Sequence, residues 1–504
     1  MSTSTVCPEQ LLEENALLRK ENTLLKEQLE WFRRQIFGKR SEKIVGNPDE
    51  KQLSFEGFDT LFSSAPQQEK KVIAAHTRKI RSHNGQDSIT LPPDLPVERR
   101  VIDLSEEEKI CAETGQPLIK IGEEVSRKLA HKPGSYFIKE IVRPKYALPK
   151  DTEGGIRTAT LPDSLLNRCQ ADESFLADIV TMKFADYLPL YRICEMLSRD
   201  GIGISRQLLS KWVIRVGQAL KPLYEAMKVQ ILESGNVFVD ETPLNMLEGG
   251  NGKARKAYMW ILVGGNDPIP TYRLYAFRTN RCHYHAEDLL KNYSGILHSD
   301  KYGAYEKLAE KKQIIWCPCW AHIRRKFVEA ESGDPVFRNW VLRKIRYLFM
   351  FERVAWSRSE DERLRIRRDK EAPIIDELIG AIKEKVLHGH ALPKSKYREA
   401  LGYFCGLIPY LKNYINFPFA RLDNNLAERA VRSVAIGRKN WLFVGNEAGG
   451  EAAAVIFSLV QTCRALKINP REYLEDVMRR LMDYPSHKLQ ELLPKQWALS
   501  RPSA

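Results

Sequence analysis

Hydrophobic residues recur every seven positions near the start of the chain. Leu11, Leu18, Leu25 and Phe32 form one set, and Asn15, Asn22, Leu29 and Ile36 form a second, four places further on. This is the d/a seam of a coiled coil, with Asn at two a positions, where it fixes register and favours a parallel dimer. An amphipathic helix packed on its own protein gives the same pattern. Residues 1–43 therefore read as a leucine-zipper-like coiled coil that would form a homodimer or higher assembly. Basic residues Arg33, Arg34, Lys39, Arg40 and Lys43 close it. Over 44–100 the periodicity stops, polar and turn residues dominate, and Pro92, Pro93 and Pro96 cluster, which predicts a linker.

Apolar runs at Phe137–Arg143 and Lys145–Leu148 predict a small β-rich module over 101–165. The helical period then takes over in residues 166–230. Leu190, Ile193, Cys194 and Leu197 share one face, Gly201-Ile-Gly203 breaks it, and Ser205 is placed to cap a second helix carrying Leu208, Leu209, Trp212 and Val216. Helix, glycine turn, helix is the outline of a helix-turn-helix. Arg206 and Lys211 fall near the start of its second helix, where base readers sit. A plain helical hairpin shares the pattern.

Strands and helices alternate over 231–330. Short strands are expected at Val237–Val239, Tyr258–Val263, Thr271–Phe277, Gly295–Ser299 and Ile314–Trp316, with helices through Ala286–Leu290 and from His322. This predicts a mixed sheet with crossing helices, making the chain a multidomain α+β protein. Charged helical stretches such as Glu362–Arg368 fill 331–420 as an insertion. A helix-forming segment at 421–449 follows, and residues 450–504 are helical and then broken by proline.

Charge gives the chemistry a direction. With 79 Lys+Arg against 65 Asp+Glu, the net charge is +14, which favours a polyanionic partner. The nine cysteines are scattered without a disulfide framework, which fits a reducing cytoplasm. No long apolar run predicts a membrane span, and the acidic start does not read as a signal peptide. Three acids stand out in this basic chain. Asp240 and Asp300 close apolar strand-like runs, and Glu428 rides an arginine-rich helix that Asp423 or Asn424 could cap. Carboxylates meeting at strand ends can hold two Mg²⁺ ions, with Mn²⁺ as the alternative, and two such ions can drive phosphodiester chemistry. Taken singly, a strand-end Asp also forms turns, and a helical Glu is also found solvated. Arg429 and Arg432 flank Glu428 and suit phosphate, although salt bridging to nearby acids would occupy them equally well.

The motifs carry a family resemblance. Leu188-Pro-Leu-Tyr-Arg192, Val239-Asp-Glu-Thr242, Ser299-Asp-Lys-Tyr-Gly-Ala-Tyr305, Cys319-Trp-Ala-His-Ile-Arg-Arg-Lys-Phe327 and Asp423-Asn-Asn-Leu-Ala-Glu-Arg-Ala-Val-Arg432 resemble a bacterial insertion-sequence transposase of family 66. The resemblance implies a ribonuclease-H-like core, split over 231–330 and 421–449, with Asp240, Asp300 and Glu428 as a D-D-E triad holding Mg²⁺. It implies cleavage of element ends, strand transfer into target DNA, terminal repeats and target as DNA partners, accessory proteins of the same element, and a cytoplasmic, nucleoid-associated protein. The Cys-x-x-His signature would place His322 near the scissile phosphate, with Arg324, Arg325 and Lys326 near the backbone. A packed Cys and a satisfied His remain the plain alternative. The 101–165 module departs from the family's zinc-finger pattern, because Cys111 stands alone with Thr114 where its pair would be. No zinc is expected there, nor at Cys317-Pro-Cys319-Trp-Ala-His322, where two thiols and one imidazole fall short of a closed site that only a distant ligand could complete. The competing reading is a DNA-binding regulator that has lost catalysis.

Overall fold

The computed structural model describes residues 163–501 except 168, 248–252, 266–268, 312–313 and 390, together with 134, 136–138, 145–146 and 157–158. The expected coiled coil and linker, with Cys111, lie outside these residues. From the 101–165 module, Lys145–Tyr146 (β1) pairs antiparallel with Arg157–Thr158 (β2), while 136–138 carry no regular structure and Phe137 and Ile138 are exposed.

Among the described residues, four helices precede the main sheet: Glu173–Phe184 (α1), Leu190–Arg199 (α2), Arg206–Ala219 (α3) and Lys221–Leu232 (α4). Ser205 caps α3 as its sequence predicts, accepting the Leu208 amide at 3.2 Å. Leu209, Trp212, Val213 and Val216 bury one face of α3 and leave Arg206 and Lys211 exposed.

The sheet has six strands. They are Asn236–Leu247 (β3), Ala254–Gly264 (β4), Tyr272–Arg278 (β5), Gly295–Ser299 (β6), Ile314–Pro318 (β7) and Phe443–Val444 (β8). The order is β5-β4-β3-β6-β7, with β8 added to β3. β3, β4 and β5 form an antiparallel meander, whereas β3, β6 and β7 run parallel. Helices His283–Leu289 (α5) and Gly303–Lys311 (α6) make the parallel connections. The run Trp260–Val263 is buried throughout, as a strand covered on both faces requires.

Both sheet edges are closed by side chains. Ser458 and Thr462 lie on the long helix Glu447–Ala465 (α13), where Ile456, Leu459, Val460 and Cys463 are buried as their shared face predicts. Their hydroxyls accept the Tyr275 and Arg273 amides of edge strand β5 at 2.8 and 3.0 Å. At the other edge, the Asn413 side-chain amide donates to the Trp316 carbonyl of β7 at 2.7 Å. Each bond satisfies a backbone group whose burial unpaired would cost about 1–3 kcal/mol, and together they blunt both edges against pairing with another chain.

β3 differs from its expected extent. It runs seven residues past Asp240, so Asp240 lies mid-strand rather than at a strand end. Pro243 reads as a breaker, yet β3 tolerates it because β6 pairs only through Phe238 and β8 only from Asn245. Between those points β3 has one open side, where proline removes no ladder bond from a second partner.

After β7 come Trp320–Glu329 (α7), Pro335–Ala355 (α8) and Glu360–Ile366 (α9). A π-helical turn at Arg367–Glu371 follows, then Ala372–His388 (α10) and Lys396–Cys405 (α11). Asn425–Trp441 (α12) returns to the sheet, and Pro470–Arg480 (α14) and Pro494–Leu499 (α15) complete the helices. Glu362–Arg368 is not merely a charged surface stretch, since Arg363 and Arg367 are buried. Arg367 pairs with Glu352 and donates to the carbonyls of Tyr414 (3.1 Å), Phe417 (2.7 Å) and Ala420 (2.8 Å). The insertion thereby grips the segment that feeds α12.

Candidate active site

The open side of β3 is filled by α12. Asn424, at the head of that helix, donates its side-chain amide to the Val239 carbonyl at 2.9 Å. Further along, Arg438 donates to the Thr242 hydroxyl at 3.0 Å and to the Pro243 carbonyl. Asn424 therefore does not cap α12 through its side chain. Asp423 performs the local turn instead, accepting the Asn425 amide at 3.1 Å.

A chain of bonds links the residues beside all three acids. The Cys319 amide donates to the carbonyl of Ser299, which precedes Asp300, at 3.0 Å. The Asn424 amide donates to Cys319 Sγ at 3.2 Å, and the Trp320 amide to the Leu422 carbonyl at 3.1 Å. Asn424 then reaches Val239, which precedes Asp240. In the parallel register Phe238 lies opposite His298, and two places on Asp240 and Asp300 emerge as neighbours. Glu428 sits one turn into α12 from Asn424.

The electrostatics record this convergence. Burial, then Glu241, Asp300 and Glu428, push the Asp240 carboxyl up to about 8, although the Glu241 amide donates to its Oδ1 at 2.8 Å. Burial and Glu241 push Asp300 up to about 6 against the pull of Arg281, with Glu428 adding to the rise. Asp300 Oδ1 is buried with no hydrogen-bond partner. Burial also raises Glu428, against the pull of Arg325, whose Nη2 lies 3.9 Å from Glu428 Oε2.

His322 Nδ1 lies 3.5 Å from Glu428 Oε1. Burial, helped by Arg325 and Lys326, holds the imidazole down to about 4, so it is neutral at pH 7 and the contact is not an ion pair. The other predicted cations are placed differently. Lys326 is taken by Glu399 of α11 at 2.6 Å, and Arg324 is half-buried. Arg429 and Arg432 are exposed on α12, with Arg429 Nε donating to the Asn425 carbonyl of its own helix at 3.2 Å. Arg206 and Lys211 lie on α3 and take no part in the bonds that join the acids.

Sequence reasoning missed Glu241. Its side chain is 3% exposed; Oε1 accepts from Arg281 Nε (2.7 Å) and Nη2, and Oε2 accepts from the Tyr305 hydroxyl at 3.0 Å. Arg281 in turn stacks on Tyr302, 4.2 Å from its ring centre. The signal lay in the motif Ser299–Tyr305, which supplies both tyrosines as well as Asp300. Cys319 was read as part of a Cys-x-x-His pair with too few ligands for zinc, and its sulfur is 3.8 Å from Glu428 Oε1.

A family model described as Transposase IS66 family matches residues 168–452, a span that holds all three acids. The chain belongs to the IS66 transposase family. The IS66 C-terminal element matches 458–495, and a model described as Transposase C of IS166 homeodomain matches 24–100. Relatives match more than nine-tenths of the chain. An uncharacterised protein of Sinorhizobium fredii, y4jD, is 29% identical over 488 residues, covering 94% of each chain. A second from that organism, y4qI, is 30% identical over 491 residues, covering 92% of this chain and 87% of its own. As an IS66 member the protein is a mixed α/β transposase, and none of its described helices is long and apolar enough to cross a membrane.

Proposed function

We propose that this IS66 transposase cleaves element ends and transfers them into target DNA with Mg²⁺, or Mn²⁺, held by Asp240, Asp300 and Glu428. The observation that carries the reading is the bond chain Ser299–Cys319–Asn424–Val239, which draws the neighbours of all three acids together. The sheet order β5-β4-β3-β6-β7, antiparallel then parallel, supports a ribonuclease-H-like core, with α8 to α11 as its insertion.

The donor set fits a hard divalent cation: three carboxylates, two of them pushed well above their ordinary range, and one buried oxygen without a partner. Bound divalent cations would activate the attacking oxygen and stabilise the leaving one. The chain's own residues prepare that event. Arg281 and Tyr305 immobilise Glu241 and so fix the β3 segment carrying Asp240. Asn424 holds α12 at the open side of β3. His322 presents a neutral imidazole beside Glu428, able to accept a proton as charge develops. Arg325, more than half exposed, and Arg429 and Arg432 supply guanidinium groups for phosphate, with Arg206 and Lys211 of α3 as a separate DNA contact. The homeodomain-like match at 24–100 supports DNA binding by the N-terminal part, where the coiled coil would pair two protomers.

The test is incubation of purified protein with Mg²⁺ and DNA carrying element ends. Nicking and joining are expected, with Asp240→Asn reducing both at least about a thousandfold. Activity that survives Asp240→Asn removes Asp240 from the mechanism. End binding without cleavage favours the regulator reading.

A further inference from the structure

We propose that Cys319, His322 and Glu428 form a second metal site, one for a thiophilic divalent cation of the Zn²⁺ class, whose occupancy withdraws Glu428 from the Mg²⁺ centre. One ligand atom from each residue lies within 4.8 Å of the other two. Two edges of the triangle are 3.8 Å (Cys319 Sγ to Glu428 Oε1) and 3.5 Å (His322 Nδ1 to Glu428 Oε1). Tetrahedral zinc with bonds of about 2.0–2.3 Å requires ligand-to-ligand edges of about 3.4–3.7 Å. The site is thus close to its bound shape without a movement of the backbone. His322 Nδ1 is buried and has no hydrogen-bond partner.

The local fold accounts for the arrangement. Cys319 is the N-cap residue of α7, and its sulfur accepts the Asn424 amide at 3.2 Å. Burial, with Glu428 and Asp423, keeps the Cys319 thiol protonated in the metal-free protein, the Asn424 and His322 amides offset part of that, and the thiol proton leaves to solvent as the metal binds. His322 follows one turn later on the same helix, and Glu428 arrives from α12. The distant ligand that the sequence could not supply to Cys319 and His322 is therefore the third acid. Three protein ligands leave one position for water, the pattern of an open zinc site. Mg²⁺ prefers oxygen donors and has little use for a thiolate, so the two ions compete for the Glu428 carboxylate rather than for Cys319.

Binding by this site is independent of the proposed function; only the inhibition rests on it. The test titrates Co²⁺ into full-length protein stripped of metal by a chelator. A sulfur-to-cobalt charge-transfer band with tetrahedral d–d bands is expected at about one equivalent. The band is expected to vanish in Cys319→Ser, to need at least tenfold more Co²⁺ in His322→Gln, and to persist in Cys317→Ser and Cys282→Ser. His322 is partly exposed, so its substitution keeps the proposal testable if Cys319→Ser fails to fold. Absence of a thiolate band, or a band untouched by both substitutions, overturns the site. In the DNA assay, Zn²⁺ is expected to inhibit the Mg²⁺-supported reaction, with the half-inhibiting concentration at least tenfold higher in Cys319→Ser relative to that variant's own zinc-free rate. An unchanged half-inhibiting concentration overturns the competition. A protein that binds Co²⁺ through Cys319 but never cuts DNA instead overturns the functional reading and leaves the site standing.

Discussion

Two clusters of buried charge in this protein are built on opposite plans. In the insertion, wholly buried Arg367 is surrounded by Glu352 and three backbone carbonyls, while Glu371 accepts the Tyr414 hydroxyl at 2.6 Å. Arg367 is satisfied on every side and acts as a brace, while Glu371 keeps one buried oxygen unpaired and is pushed up by burial and by Glu352. At the centre of the sheet, Asp300 and Glu428 raise Asp240, Glu428 raises Asp300, and burial outweighs the pull of Arg281 on Asp300 and of Arg325 on Glu428. Buried charge with its partner supplied by the chain is architecture. Buried like charge without one marks a place where the partner comes from outside.

The most damaging way to probe this contrast is Arg367→Ala. It strands Glu352 in the interior and frees the three carbonyls, so unfolding stability is expected to fall by about 3–5 kcal/mol in denaturant titration. A loss under about 1 kcal/mol would mean the brace is ornamental.

Asp240→Asn is expected to do the reverse in metal-free protein. The folded-state values of Asp240 and Asp300, about 8 and about 6, lie above the ordinary 3.8. Each carboxyl therefore contributes stability that is fully present below about 4 and is lost as pH rises through its folded value. Metal-free protein should weaken from pH 4 to pH 8, and the portion between 6 and 8 should disappear in Asp240→Asn. That variant is expected to be more stable at pH 8 by about 1–3 kcal/mol, read as a higher melting temperature. Added Mg²⁺ should flatten the profile of the unmodified protein and leave the variant unmoved.

Asn424→Ala probes the link between the clusters. It removes the bond to the Val239 carbonyl, and a loss of about 1–2 kcal/mol is expected. A larger loss of DNA cleavage should accompany it, because α12 then holds Glu428 less firmly. Equal losses in stability and activity would make Asn424 a packing residue only.

Much of the sheet was legible from its apolar runs, because β4 to β7 are buried strands bounded by turn residues. The length of β3 was not, since Pro243 signals a break wherever two neighbours are assumed, and only the three-dimensional order reveals that one side is open. The helix pair around Gly201–Gly203 was readable from periodicity and the Ser205 cap. At the site, the three acids stood out locally, two after apolar runs and one on an arginine-rich helix, and the motif resemblance joined them into one set. Glu241 escaped notice because an acid beside another acid on a strand looks solvent-facing until Arg281 and Tyr305 arrive from elsewhere. Lys326 looked available for phosphate because its partner, Glu399, is 73 residues away. Long-range pairing of this kind leaves no periodic trace.

The position of α12 has a consequence for synthesis. The ribosome releases Asp240 and Asp300 well before Glu428, and the open flank of β3 stays unfilled until the chain beyond residue 421 has emerged. A nascent or prematurely terminated product ending inside the insertion carries α2 and α3 but an incomplete acid set. On the function proposed above, such a fragment would bind DNA without cutting it, cleavage would wait until translation is nearly finished, and every shortened copy would compete with the full-length one.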